Sequence, residues 1–127
     1  INYSGFHRHG AYVIANTPLP GFNREQQSVL ATLVRLHRKR FDISVIPSLR
    51  YWSQSRMIRL IRILRLASVL RLARHDAPVP EFKATVSGEQ LALVFASDAL
   101  ANDPVMALDL EDEMRRQADA GLMLSVC

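Results

Sequence analysis

The chain is short of several things, and each shortage closes off a class of protein. It has one cysteine, Cys127, at its last position. No intrachain disulfide can form, and this cysteine usage points to a reducing, cytoplasmic compartment. No apolar run is both long enough and free enough of charge to span a membrane. The nearest, Met57 to Leu72, carries Arg59, Arg62, Arg65 and Arg71. There is no glycine-rich phosphate loop, no Ser/His/Asp set and no cysteine nucleophile in a reactive context. Internal repeats and low-complexity tracts are absent. The chain opens on Ile1 with no signal-peptide pattern, and is expected to be part of a longer polypeptide.

Acid is scarce in the first half. Up to His75, thirteen lysines and arginines face only Glu25 and Asp42, a formal +11. From Asp76 onward, three basic residues face ten acidic ones, a formal −7. So large a split implies two modules with different electrostatic tasks, the basic one suited to a polyanion. With 127 residues, 49% of them hydrophobic, the chain can bury a real core as one domain or two small ones.

The pattern predicts a helix over about His7–Ala15, with Ser4 as a possible N-cap and Gly10 permitting close approach of another backbone. Thr17 to Gly21 breaks it. Asn23 with Gln26 is a capping-box signature, opening a helix to about Arg40. Leu30, Leu33, His37 and Phe41 would share its apolar face, while Arg35, Arg38 and Lys39 point elsewhere. Ile43 to Trp52 reads as a loop with a turn at Pro47. Ser53 or Ser55 caps a third helix to about Arg74. Its arginines wind around the axis, with an apolar seam through Leu60, Ile61, Leu64 and Ala67 that Ile63, Leu66, Val69 and Leu70 widen, and their heads are expected to reach water or acids. Asp76 to Pro80 is a linker by composition. Beyond it the period becomes two: Phe82, Ala84 and Val86, then Leu91, Leu93 and Phe95, flank a turn at Ser87–Glu89. Asp103-Pro104 opens a helix that Gly121 stops, and Leu122–Val126 is a last strand. The fold class expected is α+β: helical residues 1–76, then a small ββαβ module, 77–127.

Chemistry concentrates between His7 and Asp42. An antiparallel pair of helices would bring His9 and His37 toward one cleft. Two histidines are too few for a metal site, which needs three or four donors. The plain alternative for His37 is a hydrogen-bonded structural histidine. The run Arg35 to Arg40 sits at a helix C-terminus, where cations complement the dipole. Four charges exceed what a cap needs, and guanidinium forks match phosphate oxygens. Arg8, His9, His37, Arg38, Lys39 and Arg40 are therefore the candidate phosphate-binding residues. Asp109, Glu111, Asp112 and Glu113 read as a solvated helix face.

The stretch INYSGFHRHGAYVIANTPLPGFNREQQSVLATLVRLHRK, the helix IRLIRILRLASVLRLAR and the segment LDLEDE are similar to the C-terminal region of the exopolyphosphatase / guanosine pentaphosphate phosphohydrolase family, closest to bacterial exopolyphosphatase. The resemblance implies an HD-like helical part and a small terminal module. It implies catalytic actin-like lobes, with a divalent cation such as Mg, elsewhere in the parent, and no catalytic residue or metal in this fragment. Ser68, in LRLAS, stands where active HD enzymes present an aspartate, which argues against a metal centre. The parent would release terminal phosphate from inorganic polyphosphate. This part would hold the polymer and form homodimer contacts, and would be inactive alone. The basic run VRLHRK favours polyphosphate over guanosine pentaphosphate. A nucleic-acid-binding module is the reading from a different class, weakened by the lack of stacking aromatics beside the cations.

Overall fold

The computed structural model describes residues 6–72 and 78–127. Ser4 as a cap, Arg74 as a helix end, Asp76-Ala77 as the start of the linker, and a boundary at 76–77 lie outside the described residues. The chain is α+β. It folds as two units, Ile1–Arg65 and Leu66–Cys127.

In the first unit, α1 (Phe6–Asn16) and α2 (Arg24–Leu36) form an antiparallel hairpin. Asn23 caps α2 as its sequence promised: the side chain accepts from Gln26 N–H at 2.7 Å, and Gln26 Oε1 accepts from Asn23 N–H at 3.0 Å. Gln27 fixes the crossing by donating to the carbonyls of Ile14 (2.6 Å) and Thr17 (2.7 Å). Further along, a Cβ on Gly10 would lie 3.3 Å from Val34 Cγ1. Glycine is therefore the residue that lets the two helices close together there.

Two expectations about α2 need correction. It ends at Leu36, not near Arg40; His37 is its C-cap, and Lys39 takes a left-handed φ of 63°. Its buried face runs through Val29, Thr32 and Leu36, one position round from the expected Leu30, Leu33 and His37, which are half-buried. Phe41 is buried as expected. Asp42 then caps a 3-10 turn, Ile43–Val45.

The third helix, α3 (Gln54–Leu72), is capped by Ser53, whose Oγ accepts from Arg56 N–H at 3.1 Å. Its buried residues are Met57, Ile61, Arg62, Arg65, Leu66 and Leu70. Of the expected apolar residues, Ile61, Leu66 and Leu70 are buried, whereas Leu60 and Leu64 are half-buried and Ala67 is exposed. The last of these positions, Leu66 and Leu70, lie in the second unit.

In that unit β1 (Phe82–Ser87) and β2 (Gln90–Phe95) make an antiparallel hairpin, closed by a two-residue turn in which Gly88 has φ 60°. Asp103 caps α4 (Pro104–Asp119) by accepting from Met106 N–H, and Pro104 fills the first turn. Gly121, φ 80°, turns the chain into β3 (Met123–Val126), which runs parallel to β2. The sheet order is β1-β2-β3. Leu66, Leu70, Leu93, Phe95, Met106, Leu110 and Leu124 form the core, each such side chain contributing about 1.5–3 kcal/mol on burial. The acidic run is not wholly solvated. Glu113 is 3% exposed, because 106, 110, 113 and 117 share the inner stripe of α4, and its Oε2 accepts from buried Gln117 Nε2 at 2.8 Å.

The Gly10 contact yields a test. Gly10→Leu should destabilise the hairpin by about 1–3 kcal/mol through overpacking. Gly10→Ala should change stability by less than about 1 kcal/mol, because helix propensity offsets the tighter contact. Urea denaturation followed by far-UV circular dichroism reads both.

Candidate functional site

The antiparallel crossing decides which residues meet. Gly10 faces Val34, so residues near 7 and 8 face residues near 36 and 37. His7, Gly10 and Ile14 lie on the α1 face turned to α2. His9 is two residues from His7, about 200° round the helix, and is exposed. The imidazole set beside His37 is therefore His7's, which the sequence reading passed over.

The electrostatics of His7 say the same. Its pKa is lowered from the usual 6.5, first by partial burial and then by the charges of Arg8, His37, Arg38 and Lys39. Four of the six candidate residues thus gather around one histidine. Arg8, Arg38, Lys39 and Arg40 are exposed. His37 is half-buried, and its Nδ1–H donates to the Val34 carbonyl at 2.5 Å. The structural role weighed for His37 is present, and it leaves Nε2 as the nitrogen not used in that bond.

Acid enters at one edge. Asp42 has a lowered pKa because the hydroxyl and N–H of Ser44 donate to it, at 2.6 and 3.0 Å, with Arg40 and Arg35 adding to the effect. Its carboxylate is occupied in capping the 3-10 turn.

A groove of about 460 Å³ runs along the hairpin. Ala11, Ala15, Ser28, Ala31 and Thr32 line it, with Val45 and Pro47 as a further wall. Arg8 and Arg35 stand at one end, Asn16 and Ser28 at the other. Arg35, read as lying off the apolar face, is exposed, and the register that sets Gly10 against Val34 brings it near Arg8.

The larger omission is Arg65. It is 0% exposed. Nη1 donates to the Leu36 carbonyl at 2.6 Å and Nη2 to the Lys39 carbonyl. Its guanidinium lies over the Phe41 ring, 4.9 Å from the centroid. The last carbonyls of a helix have no partner within it, and here an arginine from α3 supplies one from inside. The signal was in the sequence: Met57, Ile61 and Arg65 fall at intervals of four, on one buried line. The expectation that arginine heads on α3 seek water or acids fails here for that reason. Arg56 is exposed as expected, its guanidinium lying 4.5 Å from the Trp52 ring centroid.

Among the described residues, no group of three His, Cys, Asp or Glu side chains is placed to hold a metal ion. No helix described is long and apolar enough to cross a membrane.

Residues 1–114 match the sequence family described as Ppx/GppA phosphatase, domain III. The chain belongs to the Ppx/GppA phosphatase family. It is 36% identical over 126 residues to proteins of Pseudoalteromonas translucida and Vibrio atlanticus, each named guanosine-5'-triphosphate,3'-diphosphate pyrophosphatase. A protein of the same name from Vibrio vulnificus is 32% identical over 126 residues. These matches take in 99% of the chain but 25% of each relative, so the chain spans about a quarter of their length. In this family member the helix that carries LRLAS uses its arginine to hold the end of α2, and Ser68 beside it is half-buried.

Two measurements check the site. Arg65→Leu leaves two carbonyls without their donor and should lower stability by about 2–4 kcal/mol, read by urea denaturation. His7 should titrate below 6.5 in a proton NMR series. Because its folded-state pKa is depressed, the unfolded chain takes the proton first. The stability tied to His7 is fully present above pH 6.5 and falls as pH drops toward the folded-state value. Adding a saturating polyanion should raise the midpoint.

Proposed function

We propose that this chain is the polyanion-holding part of a larger phosphoric anhydride hydrolase, an exopolyphosphatase that releases terminal phosphate from inorganic polyphosphate. One observation carries the reading. His7, Arg8, His37, Arg38 and Lys39 stand together, while Arg65 already occupies the carbonyls at the end of α2. The cations after Leu36 are therefore not needed to complement the helix dipole. Four exposed cations held by a fixed backbone, with Arg35 alongside, fit a polymer that offers charge at regular spacing and no base to read.

On this reading the helical residues are the latter part of an HD-like domain, and the strands with α4 are a small ββαβ module that ends the chain. The boundary would lie near 76–77. The chemistry and its Mg ion would belong to actin-like lobes that this chain does not contain; the residues described here offer no donor set for the ion. Arg8, His37, Arg38, Lys39 and Arg40 would contact polyphosphate together with His7, and His9 would meet it from the other side of α1. The chain would act in the cytoplasm and as a homodimer.

A second reading is favoured by the relatives' own names. The parent would then act on guanosine pentaphosphate, and the same cations would meet its phosphates. The VRLHRK run supports polyphosphate against it. Nucleic-acid binding is the reading from a different class; Tyr51 is exposed beside Arg50 and Trp52 lies under Arg56, and neither pair belongs to the basic run 35–40.

Binding of fluorescent long-chain polyphosphate across a salt series tests the site. With about four cation contacts, and the single-strand coefficient of about 0.7 each, the log–log slope should be near −3. Arg38→Ala with Lys39→Ala should remove about half of that slope and leave the fold intact, both side chains being exposed. Single-stranded RNA should compete poorly. An unchanged affinity and slope in the double variant would place the site elsewhere. Phosphate release by the full-length parent from polyphosphate and from guanosine pentaphosphate, compared side by side, separates the two readings.

A further inference from the structure

α2 stops where its own residues would carry it on. From Leu36 to Phe41 there is no glycine or proline, and arginine and lysine are good helix formers. In a helix continued to Arg40, the Val34 carbonyl would accept from the Arg38 N–H and the Leu36 carbonyl from the Arg40 N–H. Side chains hold both carbonyls instead. His37 Nδ1–H donates to Val34, and Arg65 Nη1 donates to Leu36 at 2.6 Å. Arg65 Nη2 reaches on to the Lys39 carbonyl. Between those last two carbonyls the backbone turns left-handed, at Lys39 with φ 63°, a conformation that a side chain's Cβ opposes. Arg65 is itself fixed. It is buried, with its guanidinium 4.9 Å from the centroid of the Phe41 ring.

The stop decides where the cations go. On a continued helix Arg38 and Lys39 would stand about 100° apart, and Arg38 and Arg40 about 200°. They would wind round the axis, and only some of them could meet one ligand. In the structure His37, Arg38 and Lys39 all bear on His7, together with Arg8. A planar fork that spans the Leu36 and Lys39 carbonyls turns a winding series into a cluster. Lysine in place of Arg65 would bring a point charge and no fork.

We propose that Arg65 is a positioning residue for the anion site: it ends α2 at Leu36 and so gathers His37, Arg38 and Lys39 beside Arg8 and His7. It acts through the segment it holds. Where Arg65 is lost, α2 runs on toward Arg40 and the cluster disperses. The functional half of this rests on the anion-holding reading above; the helix stop does not.

Arg65→Met and Arg65→Lys in the whole chain test it, at a temperature where each variant is folded. Backbone NMR shifts should show residues 37–40 helical in Arg65→Met and non-helical in the wild type. The His7 midpoint should rise toward 6.5 as Arg38 and Lys39 move off, and stay below it because burial and Arg8 remain. Fluorescent polyphosphate should bind with its log–log salt slope reduced by about half, two of about four contacts being lost. Arg65→Lys keeps the charge but not the fork, and should resemble the methionine variant. Against a background of Arg38→Ala with Lys39→Gly, Arg65→Met should cost little further affinity, because the cations it acts through are gone.

Non-helical shifts at 37–40 in Arg65→Met would overturn the stop. Helical shifts with an unchanged salt slope would overturn the positioning role. A wild-type chain that binds no polyphosphate would instead overturn the anion-holding reading, and the shifts would still decide the stop. Should Arg65→Met fail to fold, Lys39→Gly and Lys39→Ala decide with Arg65 in place. Both lose the charge, but only alanine opposes the left-handed turn. The alanine variant should bind polyphosphate more weakly, and equal binding would overturn the proposal.

Discussion

The first unit depends on a buried charge. Arg65 lies under the end of α2, holds the carbonyls of Leu36 and Lys39, and rests on Phe41. A guanidinium without such partners would be costly to bury. Carbonyls without a donor would be costly too. Each solves the other's problem, and the result is a helix end fixed from within. The histidine and basic residues that follow Leu36 are thereby set on a defined backbone, facing the start of α1. The Gly10–Val34 approach and the Gln27 bonds fix the other end of the same hairpin. Site geometry and hairpin packing are one construction.

Much of this was legible in the sequence because it is local. Asn23 with Gln26, Asp103 with Pro104, Gly88 and Gly121 each carry their structural consequence in their own chemistry. The end of α2 was not legible in this way. No glycine or proline marks it, and the spacing from Leu33 to His37 to Phe41 continues the helical period past the true stop. Arg65 and Glu113 were misplaced for a shared reason. Patterns assign charges to water, whereas both residues fall on the buried line of their helices and are satisfied by particular partners. His9 was preferred to His7 because only the helix crossing, a long-range fact, says which face of α1 meets α2.

The charge split also reads differently with the structure in hand. The arginines of α3 seemed to call for acids. Arg65 instead takes carbonyls and a ring, and Arg56 takes the face of Trp52.

Lys39 has a left-handed backbone, φ 63°, in the middle of the basic segment. Few side chains tolerate that region; asparagine and glycine do, and β-branched residues do not. In lineages that diverge at this position, the positive charge can be lost through asparagine or glycine without moving the loop. A valine, isoleucine or threonine would have to reshape it. The charge at this position can thus drift while the architecture of the helix end stays constant, and the residues found there in distant relatives would record the drift.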